Sequence, residues 1–427
     1  MDPQLRLLLD GLTVPELFAR NSSLEEDATL AQLEQWKIQA CDLLSVLKKQ
    51  LAEKNVEELG VQEQAEVVEK VVTFEVEDAW AQTHATKLAK EILRQHFSSP
   101  SIALLEHLLA NRIKPLFRSN PHPMLNSATG RKLPRPQGAQ DFYYYEAQTW
   151  KRSPGTGNLV AWTVQHIPKD AYERLWHLIL PPMMTLLDDY EAPYKLQGIR
   201  VASHFLSRAP ADLLRRTGVD GLLFSSLRQT LAVLHNPTTP SLIRAAVPVL
   251  LTLIQQTTHP GSSERFNQLC QVLGESIIGS IWLYAANDKD TIQASVEVLP
   301  GVVNALGLGS VRYLKALIPQ LTHPLLADSA STYTTQHKLL SLVALRTVMR
   351  VCAPRIHRWK EAVLEGLAKC WVLLLESDSV PADEKAALQS SLKQTTKELA
   401  SVCPTVLTDE YPRFMAADAK IFSDLFG

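Results

Sequence analysis

Asp188, Asp189 and Glu191 form an acidic group that could do chemistry. Carboxylates this close could hold a hard cation. A calcium loop, however, needs oxygen ligands at alternating positions and a closing glutamate about a dozen residues on. The flanking residues supply no ligands at that spacing. The preferred reading is therefore a turn between two helices, with aspartates placed to cap. Lys195 follows early in the second helix, where it would face Asp189.

Other chemistry fails on spacing. The twelve histidines form no HExxH pair and stand at no zinc spacing from a cysteine. His122, His166, His177 and His337 read as surface or packing residues. Gly307, Gly309 and Ser310 superficially resemble a phosphate loop, but no strand precedes them and no lysine follows. The run from Ser153 to Asn158 fails in the same way. No GxSxG nucleophile elbow occurs. Cys352 and His357 flank a proline, a poor arrangement for a thiolate nucleophile. The expectation is a protein without enzymatic activity, metal or cofactor.

Two basic groups remain. Arg131, Lys132 and Arg135 lie in a stretch rich in proline and glycine and read as a solvated loop. Arg346, Arg350, Arg355, Arg358 and Lys360 straddle the end of one helix and the start of the next. They could share one edge, with Trp359 as an anchor, because arginine and tryptophan dominate interface hot spots. These six residues are the candidate partner-binding set.

The elements that would position these residues are helices. Tyr172, Leu175, Trp176, Ile179, Met183 and Leu186 recur at helical spacing after Asp170, which with Glu173 suits a capping box. Pro181 and Pro182 should kink that helix. Pro193 suits the first turn of the next one, which carries Gly198. Ala245, Ala294 and Ser341 occupy matching positions in later helices, at a spacing of roughly 47 residues, the period of a HEAT-type array. Hairpins of this kind bury their apolar faces by stacking. The expected fold is all-α, a HEAT-repeat-like solenoid of antiparallel helical hairpins with a long Pro/Gly-rich loop. The expected divisions are an N-terminal helical region at 1–118, a loop at 119–158 and a solenoid at 159–427. Within the loop, Phe142, Tyr143, Tyr144, Tyr145 and Trp150 should bury against something.

A net charge of −2 over 427 residues gives no overall case for nucleic acid or an anionic membrane. No apolar run approaches the roughly 18 residues a membrane span needs. The five cysteines are scattered, which favours a reducing compartment. The acidic start suits no signal peptide, so the cytoplasm is expected, with the nucleus open.

Several stretches resemble the fungal branch of the Tti-two family. They are NPHPMLNSATGRKLPRP (120–136), LWHLILPPMMTLLDDYEAPYKLQGIRV (175–201), LLRRTGVDGLL (213–223), RFNQLCQVLGESIIGS (265–280), VRYLKALIPQLTHPLL (311–326) and CAPRIHRWKEAVLEGLAKCW (352–371). The resemblance is strong over roughly 110–400, and the block around ILPPMMTLLDDYEAPYKLQG is its most specific part. It implies a subunit of the Triple-T (TTT) co-chaperone complex, beside Tti-one and Tel-two. The complex matures and stabilises PI-kinase-related protein kinases with the Hsp-ninety machinery, including kinases of the DNA damage response and TOR signalling. It also implies a direct contact with Tti-one through the C-terminal helical region. A HEAT-repeat scaffold of a phosphatase or transport assembly is the alternative that the architecture alone would allow.

Overall fold

The computed structural model describes residues 2–19, 27–53, 56–76, 80–118, 122–135, 148–326, 333–376 and 380–426. Phe142, Tyr143, Tyr144 and Tyr145 lie outside these residues. The chain divides into two compact units, Met1–Ser226 and Leu227–Gly427. The described residues 122–135 and 148–158 belong to the first unit.

The first unit holds α1 (Pro3–Gly11), α2 (Asp27–Glu53), α3 (Val61–Val72), α4 (Thr83–His96) and α5 (102–117). It continues with α6 (Thr156–His166), α7 (Tyr172–Leu187), α8 (Ala192–Arg208) and α9 (Ala211–Thr217). Asp2 caps α1 by accepting from the Gln4 N–H at 3.0 Å. Helix α2 buries Leu33, Ala40, Leu44, Leu47 and Leu51, a stripe at helical spacing, and packs on α4. Helix α5 begins at Ser101, whose hydroxyl accepts from the Leu104 N–H at 3.2 Å, and widens into a π-helical turn at Leu108–Ile113. Helix α6 is buried from Thr156 to Val164, and α8 packs on both α6 and α7.

Helix α7 runs through Pro181 and Pro182 without ending. The expected capping box at its start is absent. Asp170 sits in the 3-10 turn Lys169–Ala171, and no side chain caps α7. Glu173 instead pairs with Arg216 of α9. Gly218 ends α9 at φ 70°, a left-handed geometry that a residue with a Cβ adopts at a cost.

The second unit holds α10 (Thr239–Thr257), α11 (263–284), α12 (Lys289–Leu306), α13 (Leu314–Leu326) and α14 (Thr335–Val351). It ends with α15 (Lys360–Glu376), α16 (Ala382–Val402), α17 (Tyr411–Ala417) and α18 (Ala419–Phe426). Helices α10, α12, α14 and α16 form one row, each packed on the next, while α13 packs on α15 in a second layer. This is the solenoid-like, all-α stack expected from the repeat; the described residues form no strand, and Leu125 and Lys132 make an isolated bridge. The row is apolar inside: Leu299, Val302 and Val303 of α12 and Leu345 and Val348 of α14 are fully buried. Each such side chain contributes about 1.5–3 kcal/mol relative to exposure.

Three helices of this unit start the same way. Ser262, Asp288 and Thr334 accept from the N–H three residues on, at 3.1, 3.1 and 3.2 Å. Thr239 is the first residue of α10, and its hydroxyl donates to the Val233 carbonyl at 3.0 Å. By composition, the run Lys289–Leu326 is long and apolar enough to cross a membrane, contrary to the reading of the sequence. Many of its apolar residues lie on the core faces of α12 and α13, among them Leu299, Val303, Leu317 and Leu321, and Gly307 turns the backbone between the two helices at φ 58°.

Candidate interaction sites

The acidic turn lies between α7 and α8, and its carboxylates reach the segments on either side of residues 136–147. Asp188 Oδ2 accepts from His122 Nε2 at 2.8 Å, while His122 Nδ1 accepts from the Met124 N–H at 3.2 Å. This assigns the neutral ring with its proton on Nε2. Asp189 is completely buried. Its two carboxylate oxygens lie 3.0 and 2.9 Å from Lys151 Nζ, and Oδ1 also accepts from the Glu191 N–H at 2.9 Å. Glu191 Oε1 takes the same ammonium at 2.7 Å. Burial holds the Asp189 carboxyl above the usual carboxylate range, against the pull of the Glu191 N–H and of Lys151.

Asp189 and Lys195 close no direct ion pair, although the charges of Asp188 and Asp189 reach the Lys195 ammonium. Lys195 is buried and donates to the Leu187 carbonyl at 3.3 Å, so it ties off the C-terminus of α7. Burial pushes its ammonium below the ordinary lysine range. The turn is also not a cap, for α8 begins at Glu191 without a side-chain bond. The acidic group is answered by a histidine and a lysine, so it offers no open set of ligands.

Lys151 is further enclosed by rings. Its Nζ lies 4.3, 4.8 and 5.4 Å from the centroids of Tyr190, Tyr194 and Trp150. Trp150 is buried, stacks on Phe117 at 5.4 Å and meets Tyr194 edge-on at 4.8 Å. This is the burial expected of that aromatic. Asn126 organises the preceding hairpin by accepting from the Ala128 and Thr129 N–H groups at 2.9 and 3.1 Å. Gly130 then turns at φ 64°, and its carbonyl accepts from Trp176 Nε1 of α7 at 3.2 Å. Arg131, Lys132 and Arg135 are exposed on this hairpin, and the Lys132 N–H donates to the Thr217 carbonyl at 3.1 Å. Sequence reading missed His122 and Lys151 because their partners are far along the chain; the run of aromatics beside Lys151 was the available signal.

The basic edge is smaller than its sequence suggests. Arg346 of α14 is half-buried and donates to Ser391 and Thr395 of α16, at 3.0 Å to the Ser391 hydroxyl and 3.1 Å to Thr395. Arg350 pairs with Glu398 at 3.3 Å. Lys360 pairs with Glu410 at 2.6 Å, which holds its ammonium above the ordinary lysine range. These three cations hold helices to one another. Arg355 and Arg358 are exposed and Trp359 is half-exposed; Arg350 is exposed too, with its guanidinium on Glu398.

Among the described residues, no three His, Cys, Asp or Glu side chains gather as a metal site. Cys352 and Cys370 are buried, and burial pushes both thiols up to about 11. Cys352 is thus kept in its unreactive thiol form. Cys403 is buried as well, while Cys41 and Cys270 are half-buried.

Stacked helices whose ionic groups are largely consumed in joining helix to helix place the molecule among the solenoid-like helical proteins. Comparison with known sequences narrows this: residues 67–332 match the model of the Tti2 family. That is more than half of the chain, and the chain belongs to this family. TELO2-interacting protein 2 of Mus musculus is 25% identical over 256 residues, covering 58% of this chain and 48% of that protein. The Homo sapiens protein of that name is 24% identical over 229 residues, covering 52% and 43%. The chain spans about half the length of the curated relatives it matches. The family match includes the aspartate turn, His122 and Lys151, and it ends before the basic edge.

Proposed function

We propose that this chain is a non-enzymatic scaffold subunit of the TTT co-chaperone complex. In this reading it binds Tti-one directly and associates with Tel-two. With the Hsp-ninety machinery it supports the maturation and stability of PI-kinase-related kinases, in the cytoplasm and the nucleus. The observation that carries the reading is the family match over residues 67–332. The mouse and human relatives are named for an interaction with TELO2, which supports the reading. The architecture is compatible with it, since a stack of helical hairpins presents an extended surface to partners.

The test is affinity purification of the tagged chain from cells of its own source, with mass spectrometry of the bound proteins. Recovery of Tti-one and Tel-two, with PI-kinase-related kinases behind them, is the expected result. Recovery of phosphatase subunits or transport cargo, with neither of these, overturns the reading. Charge reversal at Arg355 and Arg358 in the same experiment reports on the remaining basic edge.

A further inference from the structure

At the end of the second unit, α15 and the pair α17 and α18 leave an open groove of about 460 Å³. Leu364 and Ala368 form its floor, Phe414 and Phe422 one wall, and Val372 lines it further along α15. Phe414 and Phe422 meet edge-to-face at 5.2 Å. They belong to an aromatic set in which Phe426 stacks on Tyr411 at 4.2 Å. Tyr411 is anchored in turn by its hydroxyl, which donates to the Thr396 carbonyl at 2.7 Å. The wall is therefore built before any partner arrives, which lowers the ordering cost of binding.

The rim decides what fits. Glu361, Glu365 and Lys369 are exposed on α15 and line the groove. One helical turn separates each from the next, so the edge reads minus, minus, plus in steps of about 6 Å. The two like charges one turn apart repel each other, a tension that cations from outside would relieve. On the opposite rim the Glu410 charge is answered by Lys360 at 2.6 Å.

The geometry points to this groove as the docking site for an amphipathic helix of a partner protein. That helix places apolar side chains over Leu364 and Ala368. Beside them it carries two Lys or Arg one turn apart, with an acidic residue a turn beyond. Apolar anchors supply the affinity of such helix-in-groove contacts, and the charge order sets register. The inference rests on the scaffold reading and gives it a surface.

The test co-expresses the full chain with Tti-one and measures the Tti-one retained. The E361K/E365K variant reverses two exposed charges, and Val372→Trp fills the groove from a half-exposed position. Both should retain at least tenfold less Tti-one while their circular dichroism stays that of the folded chain, and retention by the wild-type chain should fall as salt rises. If the wild-type chain retains Tti-one and both variants match it, the groove is not the site and the scaffold reading stands. If the wild-type chain retains none, the scaffold reading fails and the inference with it. If sedimentation shows wild-type self-association that both variants abolish, the occupant is a second copy of this chain, and the partner helix is overturned.

Discussion

The aspartate turn of the first unit and the helix rows of the second solve the same problem by different means. In the second unit, neighbouring hairpins are joined by contacts that repeat: Arg244 to Glu297 at 2.7 Å, Arg346 to Ser391 and Thr395, Arg350 to Glu398. These lie at half-exposed edges over a continuous apolar core. In the first unit the turn between α7 and α8 is tied by a fully buried carboxylate to a lysine enclosed by three aromatic rings. The rows use the general adhesion of apolar stripes, which tolerates change. The turn uses one specific arrangement, in which the loss of either charge strands the other in a poor solvent for ions.

The sharpest way to break this comparison is Lys151→Met. It keeps the apolar stem and leaves Asp189 without its ammonium. Removing one partner of a buried pair costs about 3–5 kcal/mol, and the loss should appear in chemical denaturation of the whole chain. A loss below 1 kcal/mol would show that the turn is no different from the rows. A smaller effect is expected at Gly198 of α8. A Cβ there would collide with the Leu187 nitrogen and stand 2.7 Å from the Leu186 carbonyl carbon. Because the obstacle is backbone, Gly198→Ala should cost about 1–3 kcal/mol, read as a lowered melting temperature. The smallest effect belongs to the rows: Arg350→Ala should cost under about 1 kcal/mol, because its side chain is 62% exposed. A larger loss in the same melting assay would mean that the rows, too, depend on individual charges.

Much of the fold was legible because its cause is periodic. Apolar spacing marked the helices, and helix ends such as those at Ser262, Asp288 and Gly218 rest on local chemistry that a few residues decide. The matching positions Gly198, Ala294 and Ser341 were also visible, but not their difference. Ala294 and Ser341 are buried with a side chain in place, whereas Gly198 meets the backbone of α7 directly. What was not legible is non-local. The spacing from Asp189 to Lys195 suggested an ion pair, but a turn of helix carries Lys195 Nζ to a carbonyl while Lys151 arrives from elsewhere. The basic edge misled for the same reason. Charges adjacent in sequence were divided among different neighbours, and only the folded chain shows which are spent.

The turn also imposes an order of events on synthesis. Lys151 precedes Asp189 by 38 residues and His122 precedes Asp188 by 66. Translation adds roughly 5–20 residues per second, so Lys151 waits about 2–8 seconds, and His122 longer, before the carboxylates that hold them exist. During that interval Trp150 already has Phe117 to stack on, but Tyr190 and Tyr194 have not been made. A nascent chain thus carries an unsatisfied aromatic and basic segment for seconds, where each repeat of the second unit needs only the hairpin before it.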